Sequence, residues 1–229
     1  MVSKRLLEIL DGFVLATAEG EAEALCSVAR ELLAMSGAGV LLRGDGNQLT
    51  LCATEAATAR LHDLQFTLGE GPSVESAHAG VLVEEPDLVA VPQRWPLFAP
   101  KAVELGVGAI FSAPLGSSEG SFGSLTLWRS TSGALEEHQQ VDLELITGVI
   151  SRIVLEQHSS GRLAVGLISP HAALEDVVHQ GAGMLSVQLD LPVADALLLL
   201  RAHAFASGKE LREVAAEVLD GRLHLALLD

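Results

Sequence analysis

Tyrosine is absent from this 229-residue chain and aromatic residues make up only 3% of it, so a base-stacking surface is sparse and any core is aliphatic. Cysteine occurs twice, at Cys26 and Cys52, at no metal-ligand or CxxC spacing. That predicts reduced, buried thiols and a cytoplasmic protein. Basic segments are missing: the net charge is −16, and residues 161–229 hold five basic side chains against nine acidic ones. A phosphate backbone is repelled by such a field at long range, so nucleic-acid binding requires a local cationic patch. No apolar run reaches the roughly 20 residues that span a bilayer. The opening MVSKRLLEILDGFVLATA has a basic start, but Glu8 and Asp11 interrupt it, which predicts an amphipathic helix rather than a signal peptide. Catalytic constellations are lacking too. The eight histidines never fall at HxxxH or HExxH spacing, and no serine or cysteine sits beside a recognisable base. The expectation is a protein that is not an enzyme, with no metal and no evident cofactor.

What is present reads as two parts. Residues 21–35 place Ala24, Leu25, Val28, Leu32 and Met35 near one helical face, with Ser36-Gly37 as the stop. Gly44-Asp45-Gly46-Asn47 then joins two β-rich runs as a hairpin, because these residues tolerate positive φ. A short helix from Glu55, strand-like VLVEE, a Pro-rich loop VPQRWPLFAP, helix KAVELG and the strands GAIFSAPL and GSLTLWRS follow. The pattern predicts an α+β fold, an antiparallel sheet flanked by helices. Residues 134–158 form a long helix with two apolar rows, Leu143, Ile146, Ile150 and Val154 on one side and Val141, Leu145, Val149 and Ile153 on the other. A helix apolar on two sides packs against two bodies, here its own sheet and the same helix of a second copy.

Residues 159–170 concentrate Ser and Gly and close at Pro170, which predicts a linker. From His171 the pattern is helical only, and three helices make a minimal bundle. Leu174, Val177, Val178, Gly181, Leu185 and Leu189 form a stripe, Pro192 opens the second helix, and Ser207 and Glu210 have capping-box spacing. Leu197–Leu200 covers every face of its helix, as in a bundle that dimerises. Two local motifs remain. LGEGP at 68–72 reads as a tight turn before a helix capped by Ser73, since the Walker spacing is absent and Glu70 repels phosphate. Trp95, Phe98 and Phe111 hold much of the aromatic content, and either fill the core between sheet and helix or, with Glu70, line a ligand pocket.

These residues carry a resemblance. Residues 49–130, through LCATEAATARLHDLQFTLGEGPSVESAHAGVLVEEPDL, RWPLFAPKAVELGVGAIFSAPL and GSLTLWRS, resemble a GAF sensor domain of actinobacterial regulators, extended to 5–157. Residues 174–219, through HQGAGMLSVQLDLPVADALLLLRAHAFASGKELREVAAEVL, resemble an ANTAR domain within 171–229. The pair implies a sensor whose ligand is unknown, coupled to a homodimeric three-helix module that binds paired hairpin loops of nascent RNA and promotes antitermination. Gly183, Ala196, Leu200, Arg201, Ala204, Leu211, Val214, Ala215 and Val218 match the ANTAR pattern, Gly183, Ala196 and Ala204 as close-approach positions. The resemblance implies RNA contacts at Gln180, Gln188, Arg201, His203, Lys209 and Arg212; read from the residues alone they form a solvated face, with Lys209 paired to Glu213. Ala182, Gln188, Pro192 and Leu197 depart from the pattern, and the lost cations imply a shallow salt dependence. A homodimeric interaction or ligand-sensing module without RNA binding is the alternative.

Overall fold

A computed structural model describes residues 9, 11, 13, 22–44, 47–117, 120–159 and 172–225. The chain divides into two compact units, residues 1–42 with 50–169 and residues 43–49 with 170–229. Among the described residues, no single helix is long and apolar enough to cross a membrane. Within the amphipathic N-terminal stretch, Ile9, Asp11 and Phe13 are helical; the two apolar residues are buried and Asp11 is exposed.

Helix α1, Ala22–Leu32, follows. Of the predicted row, Leu25 and Met35 are buried and Ala24, Val28 and Leu32 only partly so; Cys26, Ala29 and Leu33 complete the inward face, whose centre is shifted by about one residue. Strands β1, Gly37–Gly44, and β2, Asn47–Ala53, flank the predicted hairpin turn. Helices α2, Ala56–Leu68, and α3, Pro72–Ala79, lead to the short β3, Val83–Glu85. Helix α4, Phe98–Glu104, precedes the long pair β4, Ala109–Ser117, and β5, Gly120–Arg129. The five strands form one sheet in the order β2-β1-β5-β4-β3, with β1·β5, β5·β4 and β4·β3 antiparallel.

Register fixes which side chains share a face, because successive strand residues alternate. Trp128 lies opposite both Gly37 and Ile110, Thr126 opposite Gly39 and Ser112, and Ser124 opposite Leu41 and Pro114. The other face carries Ala38, Val40, Leu125, Leu127, Phe111, Ala113 and Leu115, all buried. The long helix α5, Glu137–Ser159, packs against β4. Its first predicted row, Leu143, Ile146, Ile150 and Val154, is buried, whereas Val141 in the second row is exposed and Leu145, Val149 and Ile153 are half-buried.

The two cysteines are a correction. Cys26 of α1 and Cys52 of β2 form a disulfide between Cα atoms 6.1 Å apart, where free thiols are expected from spacing alone. Disulfide formation needs spatial and not sequential proximity, and packing α1 beside β2 supplies it.

The second unit holds α6, Ala172–Leu189, α7, Val193–Ser207, and α8, Leu211–Leu219, each packed on the other two. Its core is Val178, Ala182, Leu185, Ala196, Leu197, Leu200, Ala204, Leu211, Val214, Ala215 and Val218, all buried. Of the four consecutive leucines only Leu197 and Leu200 are buried; Leu198 is exposed. The glycine at the close approach is Gly181, where a Cβ would stand 2.9 Å from that of Ala215. Around Gly183, the predicted close-approach position, the space is open. The capping box does not form: Ser207 Oγ donates to the His203 carbonyl at 2.7 Å, and Glu210 is the N-cap residue of α8 without a side-chain bond. The linker expected over 159–170 lies, apart from Ser159, outside the described residues.

Candidate functional site

The sheet face under α2 and α3 is half apolar and half polar. At one end Trp95, Phe98, Leu61, Val83, Leu88, Ile110 and Trp128 form an apolar cluster. The Trp95 and Phe98 rings meet edge to face, 6.1 Å apart at 85°. Beside it, α2 lays down Thr58, His62 and Gln65 at helical spacing, all buried. Trp128 Nε1 donates to Thr58 Oγ1 at 2.8 Å, and His62 Nδ1 lies 3.4 Å from Thr50 Oγ1. Gly39 is required here: a Cβ would stand 2.4 Å from the His62 ring.

Gln65 extends the polar row. Its Oε1 accepts from the Ser73 amide at 2.7 Å, and the Ser73 and Thr126 hydroxyls share a hydrogen bond of 2.6 Å. Around that bond, the buried Gln65 Nε2, Ser112 Oγ and Ser124 Oγ have no hydrogen-bond partner among the described residues. Each unsatisfied buried polar group costs about 1–3 kcal/mol, and native proteins keep few of them. All three are neutral: the Gln65 amide can donate, and each of the two hydroxyls can donate or accept.

A segment between β3 and α4 closes the apolar end, and carboxylates fasten it. Glu70 Oε1 accepts from the amides of Leu97 and Phe98 at 2.6 and 2.7 Å. Arg94 donates to Glu75 at 2.9 Å and to Glu85 at 3.2 Å, with its guanidinium 4.5 Å from the Trp95 ring centroid. Trp95 Nε1 also donates to Glu75, at 3.2 Å. Burial pulls the Arg94 pKa down, but the hydrogen bonds and charges of Glu75 and then Glu85 outweigh it, and the net direction is upward.

Of the predicted pocket residues, Glu70, Trp95 and Phe98 come together. Phe111 does not. It pairs with Leu127 on the opposite sheet face, beneath the Arg129 guanidinium at 5.3 Å, because strand alternation sends it away from Ile110 and Ser112. LGEGP is a turn as expected, yet the helix that follows is capped by Gly71 at φ 128° with Pro72 next, and Ser73 lies inside its first turn. Spacing alone does not reveal Thr58, His62, Gln65, Ser112, Ser124 and Thr126 as site residues. The available signal was alternation: Ser124 and Thr126 interleave with Leu125 and Leu127.

In the second unit, Gln180, Gln188, Lys209 and Arg212 are exposed, and Arg201 and His203 are half-buried. Burial lowers the Arg201 pKa. Lys209 does not pair with Glu213: its Nζ lies 2.6 and 2.8 Å from the two oxygens of Glu217, two turns along α8. That hydrogen bond first, and the charges of Lys209, Arg222 and His203 after it, hold the Glu217 carboxyl below its ordinary value of 4.5 against a smaller opposing effect of burial. Leu198 and Phe205 are exposed seven residues apart on α7, and Val187 of α6 is exposed as well.

No family model matches the chain, and no curated protein does. Solved structures do match. The GAF domain of a phosphoenolpyruvate-protein phosphotransferase from Acinetobacter is 10% identical, with a TM-score of 0.53 over 70% of this chain and 99% of that one. The corresponding domain from Coxiella burnetii is 13% identical, with a TM-score of 0.53 over 69% and 99%. A third GAF domain, from a Synechocystis protein in its photoproduct state, is 15% identical, with a TM-score of 0.50 over 62% and 96%. At these identities the likeness is one of fold: the five-stranded sheet and its helices have the GAF architecture.

Proposed function

We propose that the chain is a non-enzymatic, signal-responsive regulator, homodimeric, with a GAF-type input domain and a three-helix output that binds hairpin RNA and promotes antitermination. The observation that carries the input half is the unsatisfied polar cluster of Gln65, Ser112 and Ser124 under a segment held by Glu70, Glu75 and Glu85. A small effector that satisfies those groups gains the free energy their isolation costs.

The output half rests on the ANTAR resemblance of residues 174–219 and on the exposure of Gln180, Gln188, Lys209 and Arg212. Sequence-specific RNA recognition targets unpaired loop bases, and a dimer offers two such units to two neighbouring loops, raising affinity through effective concentration. Fluorescence anisotropy against a two-hairpin RNA and a single-hairpin control, at two salt concentrations, tests it. Preference for the paired hairpins, a shallow salt slope, and loss of binding in Lys209→Ala/Arg212→Ala support the reading; equal and negligible binding to both RNAs overturns it.

A second reading is a protein-docking output. The exposed Leu198 and Phe205 and the engagement of Lys209 with Glu217 favour it, since the first offer apolar contact and the second withdraws a cation from phosphate.

A further inference from the structure

The outer side of α5 carries an arrangement that no described residue of the protomer covers. Gly148 is exposed mid-helix, and a Cβ placed there would meet nothing within 4 Å. Glycine in a helix interior destabilises it relative to alanine, and nothing among the described residues requires glycine at this position.

The flanking residues are symmetric about it. Glu144 and Arg152 stand four residues to either side, Val141 and Leu155 seven to either side, and all four are exposed. At 100° per residue, these positions fall within about 40° of Gly148 around the helix, at heights of about 6 and 10.5 Å. Arg152 already donates to Glu156 at 2.8 Å, one turn further on and towards the edge of this stripe.

We propose that a second copy of this chain docks here with its α5 antiparallel, the two helices crossing at Gly148. A two-fold axis through Gly148 places Arg152 against the Glu144 position of the other copy, and Val141 against its Leu155 position, on both sides of the crossing. Two glycines at the crossing let the axes approach at the short end of the usual 8–10 Å range. A parallel pair in register would instead set arginine on arginine and glutamate on glutamate. The palindromic order of apolar, acid, glycine, base and apolar residues selects a copy of itself, because an unrelated partner places no such demand.

This inference rests on the dimer reading above, and the experiment separates the two. Sedimentation velocity on the full chain is expected to show a dimer; a monomer at every concentration overturns the dimer reading and the docking with it. Given a dimer, the Val141→Cys/Leu155→Cys double variant is expected to form intermolecular disulfides on mild oxidation. Val141→Cys alone is expected to form none, since its two copies lie about 21 Å apart along the axis. Efficient cross-linking of Val141→Cys alone overturns the antiparallel arrangement while leaving the dimer standing.

Charge reversal gives a second readout. Glu144→Arg and Arg152→Glu are each expected to weaken dimerisation about tenfold, and their combination to restore it to within about threefold, because the swapped charges still face one another. Additive weakening overturns the proposal. Gly148→Ala is the folding control: its thermal unfolding as a dilute monomer should match or exceed the parent, while its dimer weakens.

Discussion

The hydroxyls of Ser73 and Thr126, 53 residues apart in sequence, meet at 2.6 Å in the middle of a buried sheet face. They are the point at which α3 is hydrogen-bonded to the central strand β5. Removing one hydroxyl strands the other. Ser73→Ala and Thr126→Val should each destabilise the protein by about 1–3 kcal/mol, and the double variant by clearly less than their sum. A denaturant double-mutant cycle checks this, and strict additivity excludes the bond.

Glu70 fixes the start of α4 from a distant loop, taking both the Leu97 and Phe98 amides on one oxygen. It does the work of an N-cap from outside the helix, so Glu70→Ala should cost about 1 kcal/mol. Amide exchange at Leu97 and Phe98 should accelerate selectively. Protection unchanged at those two amides would remove Glu70 from this role.

Glu217 titrates below its ordinary value of 4.5, with the Lys209 hydrogen bond as the leading cause. A carboxyl depressed by folding contributes stability that is fully present above its unfolded pKa and is lost as pH falls through the folded value. Carboxyl-carbon NMR should place the folded midpoint below 4.5, and Lys209→Ala should move it upward. A midpoint indifferent to that substitution would assign the depression to other charges.

Reduction of Cys26–Cys52 opens a loop with a sequence separation of 26. Loop-closure entropy sets its contribution at about 3.5 kcal/mol. Both sulfurs are buried, so reduction should be slow under native conditions and should accelerate with denaturant. Thermal unfolding of the reduced protein should match that of the Cys26→Ser/Cys52→Ser variant.

Local chemistry made much of the fold legible. Gly44 and Asn47 mark the hairpin, LGEGP the turn before a helix though not its cap, and the 3.6-residue row of Leu143, Ile146, Ile150 and Val154 the buried side of α5. The polar sheet face was not legible, because Ser124 and Thr126 alternating with Leu125 and Leu127 has the same pattern as a strand with one solvated side. Only the packing of α2 and α3 over that side turns it into an interior. The disulfide escaped for a related reason, since it joins two different elements, and Lys209 reaches Glu217 from outside α8, past the i, i+4 partner that local spacing offers. Phe111 shows the converse error, where residue type suggested a pocket and a one-residue step along β4 sent the ring to the other face.

Strand β2 ends the sheet, and the end of a sheet is where another chain can add itself by backbone pairing. The bond from Cys52 to Cys26 fastens that terminal strand to α1. To be exchanged between molecules, β2 would have to carry α1 with it, surrendering Leu25, Ala29 and Leu33 from the core. The oxidised protein is thereby guarded against strand swapping and fibril growth, and loss of this bond would make this edge the first place to look for aggregation.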